Sequence, residues 1–343
     1  MPSFFKQLKQ ALNTPLLSGL NSGAASATIA QILKQNLTHG HLWLIAPDER
    51  SAELIFEDLK LWSSFWRLDE WNILFYPDDD LKALQGDSPN PMFPRQRIQT
   101  LYQRYTQPQS LVVSSLSAAI LKSISATQLL SNTIVLEKVS CLDPEQLENQ
   151  LVESGYQPKS LYDEGDFDRR NEVVRLWPIG KKTPYRVVFF DDEIEDIHSL
   201  DEHGRPNHQE KSLTILPAKE AIVNKNSIIR LKRYFNQTSR ALKSENNETF
   251  KHFRFQSKQI LKDLEAGYSF IGHEDYLPVL WDLQAPIQSS NQVILFEPEQ
   301  IWEQLKTLHS KRASRWNILD PAARPLIDPV RRFLDRSGLL EQL

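Results

Sequence analysis

Apolar residues in the first third of the chain come as short unbroken runs and as longer helical stripes, in alternation. Leu42 to Ala46 is continuously apolar and stopped by Pro47, the pattern of a strand covered on both faces. From Ser51 to Trp66, residues Leu54, Ile55, Leu59, Trp62, Phe65 and Trp66 recur at three- and four-residue spacing, which predicts a helix with one buried stripe. Ile73 to Tyr76, ended by Pro77, and Ser110 to Ser114 predict two further strands, with a helix around Arg97 to Tyr105 between them. Strand and helix alternating at this spacing imply an α/β layer on a parallel sheet. The connection from Asp78 to Pro94, with three prolines and a glycine, is too irregular to predict an element.

The pattern changes near residue 127. Asn132 to Lys138 predicts a strand, and Leu142 to Gly155 a helix closed by its glycine. Asn171 to Trp177 and Tyr185 to Phe190 are β-rich runs joined by Pro-Ile-Gly-Lys-Lys-Thr-Pro, a hairpin signal, so this stretch is expected to be a small α+β unit. Beyond about residue 219 the chain turns helical and polar. Ile222 to Leu242 and Thr249 to Ala266 carry helical spacing, the second preceded by Asn246 and Asn247 and followed by Gly267. Val293 to Phe296 is one more buried strand, expected to return to the first sheet. The expected units are residues 1–126, 127–218 and 219–343, as a length of 343 residues allows.

Charge and cysteine content narrow the function classes. The formal net charge of -4 supplies no overall basic field for a nucleic-acid backbone. One cysteine, Cys141, forms no internal disulfide and builds no thiolate zinc site, which points to a reducing compartment. No run approaches the roughly 18 apolar residues of a membrane span and the N-terminus lacks a signal-peptide core, so a cytoplasmic protein without membrane contact is expected.

Candidate chemistry is sparse. In the loop before the first helix, residues 16–27, Gly19, Ser22 and Gly23 are small, but Ala24 and Ala25 stand where a phosphate-binding loop needs Lys and Ser or Thr. Backbone amides are all such a loop offers an anion, and nucleotide hydrolysis is not expected there. Asp191-Asp192-Glu193 imitates the acidic box of helicase motors and, lacking a phosphate-loop partner, is read as an acidic strand end. Gly180-Lys181 is a hairpin turn. Asp78 to Asp80 with Asp87, and His203 with His208, lack the geometry of a metal shell, and no metal or cofactor is expected. Trp43, Trp62, Trp66 and Trp71 read as core rather than as a base-stacking platform. Local nucleic-acid binding would need a basic patch such as Lys225 to Arg240 with Lys251 to Lys262. Those helices mix charge with apolar stripes, and a solvated face is expected.

The hairpin has the most unusual surface chemistry. Alternation in Tyr185 to Phe190 puts Arg186, Val188 and Phe190 on one face and Tyr185, Val187 and Phe189 on the other. With the second set inward, an Arg and a Phe flank Val188 on the open face, the composition of protein–protein hot spots. Arg169 and Arg170, placed just before the first strand, are candidates to join them.

Five segments in order resemble a known family: Leu-Ile-Ala-Pro-Asp (44–48), Tyr-Pro-Asp-Asp-Asp (76–80), Gly-Asp-Phe-Asp-Arg-Arg-Asn (165–171), Pro-Tyr-Arg-Val-Val-Phe-Phe-Asp-Asp-Glu-Ile-Glu (184–195) and Gly-His-Glu-Asp-Tyr-Leu-Pro (272–278). They are similar to the N-terminal UvrB-homology module of the bacterial transcription-repair coupling factors. The resemblance implies a degenerate helicase-like parallel α/β domain 1A, an inserted α+β domain 2 with the hairpin, and a helical and α/β return domain 1B. It further implies that domain 2 binds UvrA, the damage-recognition ATPase of nucleotide excision repair, through Arg170, Arg186 and Phe190, and that the nucleotide loop is lost, as Ala24 and Ala25 suggest. Asn171 stands where the family commonly has Gly, and acidic residues usual at the positions of Arg175 and Val188 are absent. Any contact with RNA polymerase or DNA is then expected to fall to regions outside this chain. The rival reading is a helicase-like ATPase using Asp192 and Glu193.

Overall fold

The computed structural model describes residues 20–35, 38–78, 90–242, 247–265, 273–318, 327 and 329–341. The first layer is a parallel four-stranded sheet. Its strands are β1 (His41–Ala46), β2 (Asn72–Tyr76), β3 (Ser110–Ser115) and, from far along the chain, a strand at Gln292–Leu295. The order across the sheet is Gln292–Leu295, β1, β3, β2, with Leu44 opposite both Ile294 and Val113, so the late strand does return to the first sheet. Alternation divides the strands between two cores. Leu42, Leu44, Leu111 and Val113 face one way, against α1 (Ser22–Lys34) and α2 (Glu49–Trp66). Trp43, Ile45, Val112 and Tyr76 face the other, toward α3 (Met92–Thr106). A parallel sheet buried on both faces explains the unbroken apolar runs of its strands.

The helices depart from expectation in two places. On α2 the stripe narrows to Ala52, Ile55 and Leu59, while Leu54 and Phe65 are exposed. Trp43 and Trp71 are core, but Trp62 and Trp66 are half-buried and stack on each other at 4.7 Å. α3 begins at Met92, earlier than its apolar spacing suggests, because Pro91 and Pro94 fall at its start, where a missing N–H is tolerated. Asp79, Asp80, Asp87, Gly19, Asn246, Gly267 and Gly272 lie outside the described residues.

The second layer is a six-stranded, mostly antiparallel sheet. After β4 (Ile134–Glu137) and α4 (Pro144–Glu153), its strands follow as β5 (Gln157–Pro158), β6 (Asp166–Arg170), β7 (Val173–Leu176), β8 (Tyr185–Phe190), β9 (Glu193–Leu200) and β10 (Pro206–Gln209), paired in that order. β11 (Ser212–Ile215) closes on β4. Asp143 caps α4 by accepting from the Glu145 and Gln146 amides, and Gly155, at φ +95°, turns the chain out of it. Leu147 and Leu151 of α4 share a core with Phe167, Val174, Val187, Phe189, Ile194 and Ile197. One face of this sheet is therefore core and the other open.

The last layer pairs α5 (Lys225–Leu242) with α6 (Asn247–Glu265) through Leu231, Phe235 and Phe253, the two Phe rings meeting edge to face at 5.8 Å. With Gln292–Leu295 named β12, the helix α7 (Pro298–Ile318) follows it. Distant stretches of the chain meet at Glu220. Its carboxylate accepts from Arg97 Nε and Nη2 at 3.0 and 2.7 Å and from Ser123 Oγ at 2.9 Å, and Arg332 stands 3.9 Å away. All three charged residues are almost fully buried.

Candidate partner-docking site

The open face of the six-stranded sheet is built by alternation. Tyr185, Val187 and Phe189 of β8 are buried, Arg186 and Val188 are half-buried, and Phe190 is 72% exposed. Register carries the pattern sideways. Arg170 of β6 lies opposite Val173 of β7, and Val173 opposite Val188, while Asp168, Arg175, Arg186 and His198 form the next cross-strand row. Strand geometry puts Arg186 and Phe190 ~13 Å apart along β8, with Arg170 two strands, ~10 Å, to the side. The three predicted residues thus surround the half-buried Val173 and Val188.

Two hairpin turns bound this patch. Asn171 (φ 53°) turns β6 into β7 and Asp191 (φ 51°) turns β8 into β9. Asparagine and aspartate are the non-glycine residues that best adopt this left-handed backbone, so both turns form without a glycine. Asp191, Asp192 and Glu193 are a turn and the start of the next strand, anchored by Leu142 N–H donating to Asp192 O at 2.7 Å.

Charge balance across the face is uneven. Arg175 is paired with Asp168 through both carboxylate oxygens, and Asp196 accepts from Lys138 at 2.8 Å and from Gln209, which holds its carboxyl below the usual carboxylate range. Arg186 Nε and His198 Nδ1 are buried atoms without a hydrogen-bond partner.

Arg169 does not join the patch. β6 begins at Asp166, so Arg169 belongs to the strand and alternation turns it to the opposite face, where Nη1 donates to Glu148 of α4 at 2.8 Å. His198 and the Asp168–Arg175 pair were missed by sequence reasoning. β9 carries a register shift between Ile194 and Asp196, which places its buried isoleucines three residues apart and hides the period of two. The two-residue turn at Asn171-Glu172 was the available signal for β6.

Around the nucleotide-loop position, Ser22 to Ala25 are the first turn of α1 rather than a loop. Asn21 accepts from Ala24 N–H at 2.9 Å through its side chain and from Ala25 N–H at 2.8 Å through its carbonyl. Asp58 Oδ2 lies 4.0 Å from where a Cβ on Gly23 would stand. Two of the amides that an anion would need are occupied, and a carboxylate faces the same turn. Asp192 and Glu193 belong to the other sheet. Among the described residues no group of three metal-ligating side chains converges, and no helix is long and apolar enough to cross a membrane.

Residues 134–220, which contain this face, match the model of the UvrB interaction domain. The transcription-repair-coupling factor of Escherichia coli is 26% identical over 62% of this chain, and that of Haemophilus influenzae is 22% identical over 93% of it. The UvrABC system protein B of Kosmotoga olearia is 29% identical over 55% of it. The matched regions cover 18%, 27% and 28% of those relatives, so the chain spans between about a fifth and a little over a quarter of their length. The chain is thus similar to the UvrB interaction domain over residues 134–220, and over more of its length to the transcription-repair-coupling factors.

Proposed function

We propose that the chain is a recruitment module of nucleotide excision repair, working in the cytoplasm, and that the open sheet face binds UvrA through Arg170, Arg186 and Phe190. The observation that carries this reading is Phe190, a large aromatic left 72% exposed on the same open face as two arginines, inside the segment that matches the UvrB interaction domain. Aromatic and arginine side chains around a small apolar centre are what interface hot spots consist of. Calorimetric titration with UvrA tests it: Arg186→Ala is expected to weaken binding by about 2 kcal/mol or more. Equal affinity for native and variant chains would remove Arg186 from the interface.

The module is also proposed to be non-catalytic. The absence of a Lys after Gly23, the capped first turn of α1 and the placement of Asp192 and Glu193 on a hairpin of another sheet support this. ATP turnover with and without DNA is expected to stay at background. Turnover abolished by Asp192→Asn would return the helicase-like reading.

A further inference from the structure

In a chain of net charge -4, helix α5 holds five Lys and Arg and no Asp or Glu. The helix pair turns most of its charges away from its packed apolar side, with Ile229 and Phe255 exposed among them. On α5, Ser227, Leu231 and Phe235 face inward, while Lys225, Lys232, Arg233 and Arg240 are exposed within one arc of the opposite side. On α6, Phe253, Ser257 and Leu264 face inward, and Lys251, Phe255, Lys258 and Lys262 form an outward stripe at spacings of four, three and four residues. α5 has no acidic residue, and on α6 the lysine stripe is flanked in sequence by Glu248 and Glu265. Arg230 is set apart by its ion pair with Asp282 at 2.8 Å, and Asp263 accepts from Gln259, away from the lysine stripe. At the edge of the pair, the Arg331 guanidinium sits over the Tyr234 ring of α5.

We propose that the outward arcs of α5 and α6 form a docking surface for the phosphate backbone of nucleic acid. Lys251 to Lys262 covers ~16 Å of helix axis, a span of about five phosphates along one strand of duplex. The composition favours phosphate over an acidic protein surface. Five of the nine cations named on α5 and α6, counting the exposed Arg254, are lysines. Lysine is depleted at protein interfaces but is an ordinary neutraliser of phosphate. It also disfavours a membrane surface, because the apolar sides of both helices are used up in packing and Ile229 and Phe255 are their exposed large apolar residues. Phe255, 73% exposed between lysines, supplies a stacking face for an unpaired base. This surface is separate from the UvrA patch and does not depend on it.

The test is a fluorescence-anisotropy titration of the full chain with labelled duplex and single-stranded DNA between about 50 and about 200 mM salt. Native chain is expected to bind one or both, with affinity falling steeply as salt rises, and a preference for single strands would assign Phe255 to stacking. The triple variant Lys251→Glu, Lys258→Glu, Lys262→Glu is expected to lose at least about tenfold in affinity and to flatten the salt slope by about 3. The matching triple Gln variant, which keeps helix propensity without reversing charge, is expected to lose part of the same affinity at an unchanged melting temperature. Phe190→Ala should bind DNA as the native chain does. Absence of DNA binding at low salt, native-like binding by both triple variants, equal competition by polyglutamate, or binding to anionic vesicles in place of DNA would each overturn the proposal.

Discussion

Arg169 and Arg170 are neighbours with opposite tasks, because a strand sends successive side chains to opposite faces. Arg169 joins β6 to α4 through Glu148, and both partners are about a third exposed. Removing it as Arg169→Ala should cost under about 1 kcal/mol of stability, as half-exposed ion pairs do, and leave UvrA affinity as it was. Arg170→Ala is expected to do the reverse, with an unaltered denaturant midpoint and weakened binding. Paired urea titrations and UvrA titrations of the two variants check this. If both arginines proved equally needed for binding, the face assignment would be wrong. Gly165 is a second residue with a definite cost. At φ +88° its backbone favours glycine, so Gly165→Ala should destabilise by about 1 to 2 kcal/mol, although Arg95 Nη2, which a Cβ would approach to 2.8 Å, is a side-chain end able to move.

At the scale of elements, what was legible in the sequence is what a single periodicity governs. The strands of the parallel sheet, buried on both sides, announce themselves as apolar runs, and Tyr185 to Phe190 reads correctly because an open face and a core face alternate without interruption. β9 does not, since its bulge breaks the alternation, and β6 hides because Asp168 and Arg169 sit at half-buried positions that only their partners Arg175 and Glu148 explain. The apolar width of α2 misleads for another reason: Leu54 and Phe65 lie beyond the stripe that the sheet covers. The α5 and α6 charges mislead in the opposite sense, because composition sums what the helical turn segregates. Ile55→Ala is accordingly expected to cost about 2 to 5 kcal/mol, and Phe65→Ser within about 0.5 kcal/mol of nothing, in chemical denaturation.

Over the whole molecule, buried charge ties distant stretches of the chain together. Glu220 gathers Arg97 from α3, Ser123 beyond β3 and Arg332 from the end of the chain into one desolvated site. Glu220→Ala would leave two arginines buried without their carboxylate, a loss of about 3 to 5 kcal/mol, visible as a lower melting temperature and earlier urea unfolding. The most direct measurement of the central claim is the affinity of UvrA for the native chain against Phe190→Ala, taken by calorimetry at matched melting temperature. The docking face predicts a loss of about 2 kcal/mol or more, roughly thirtyfold. Native-like affinity in the Phe190→Ala chain would contradict it.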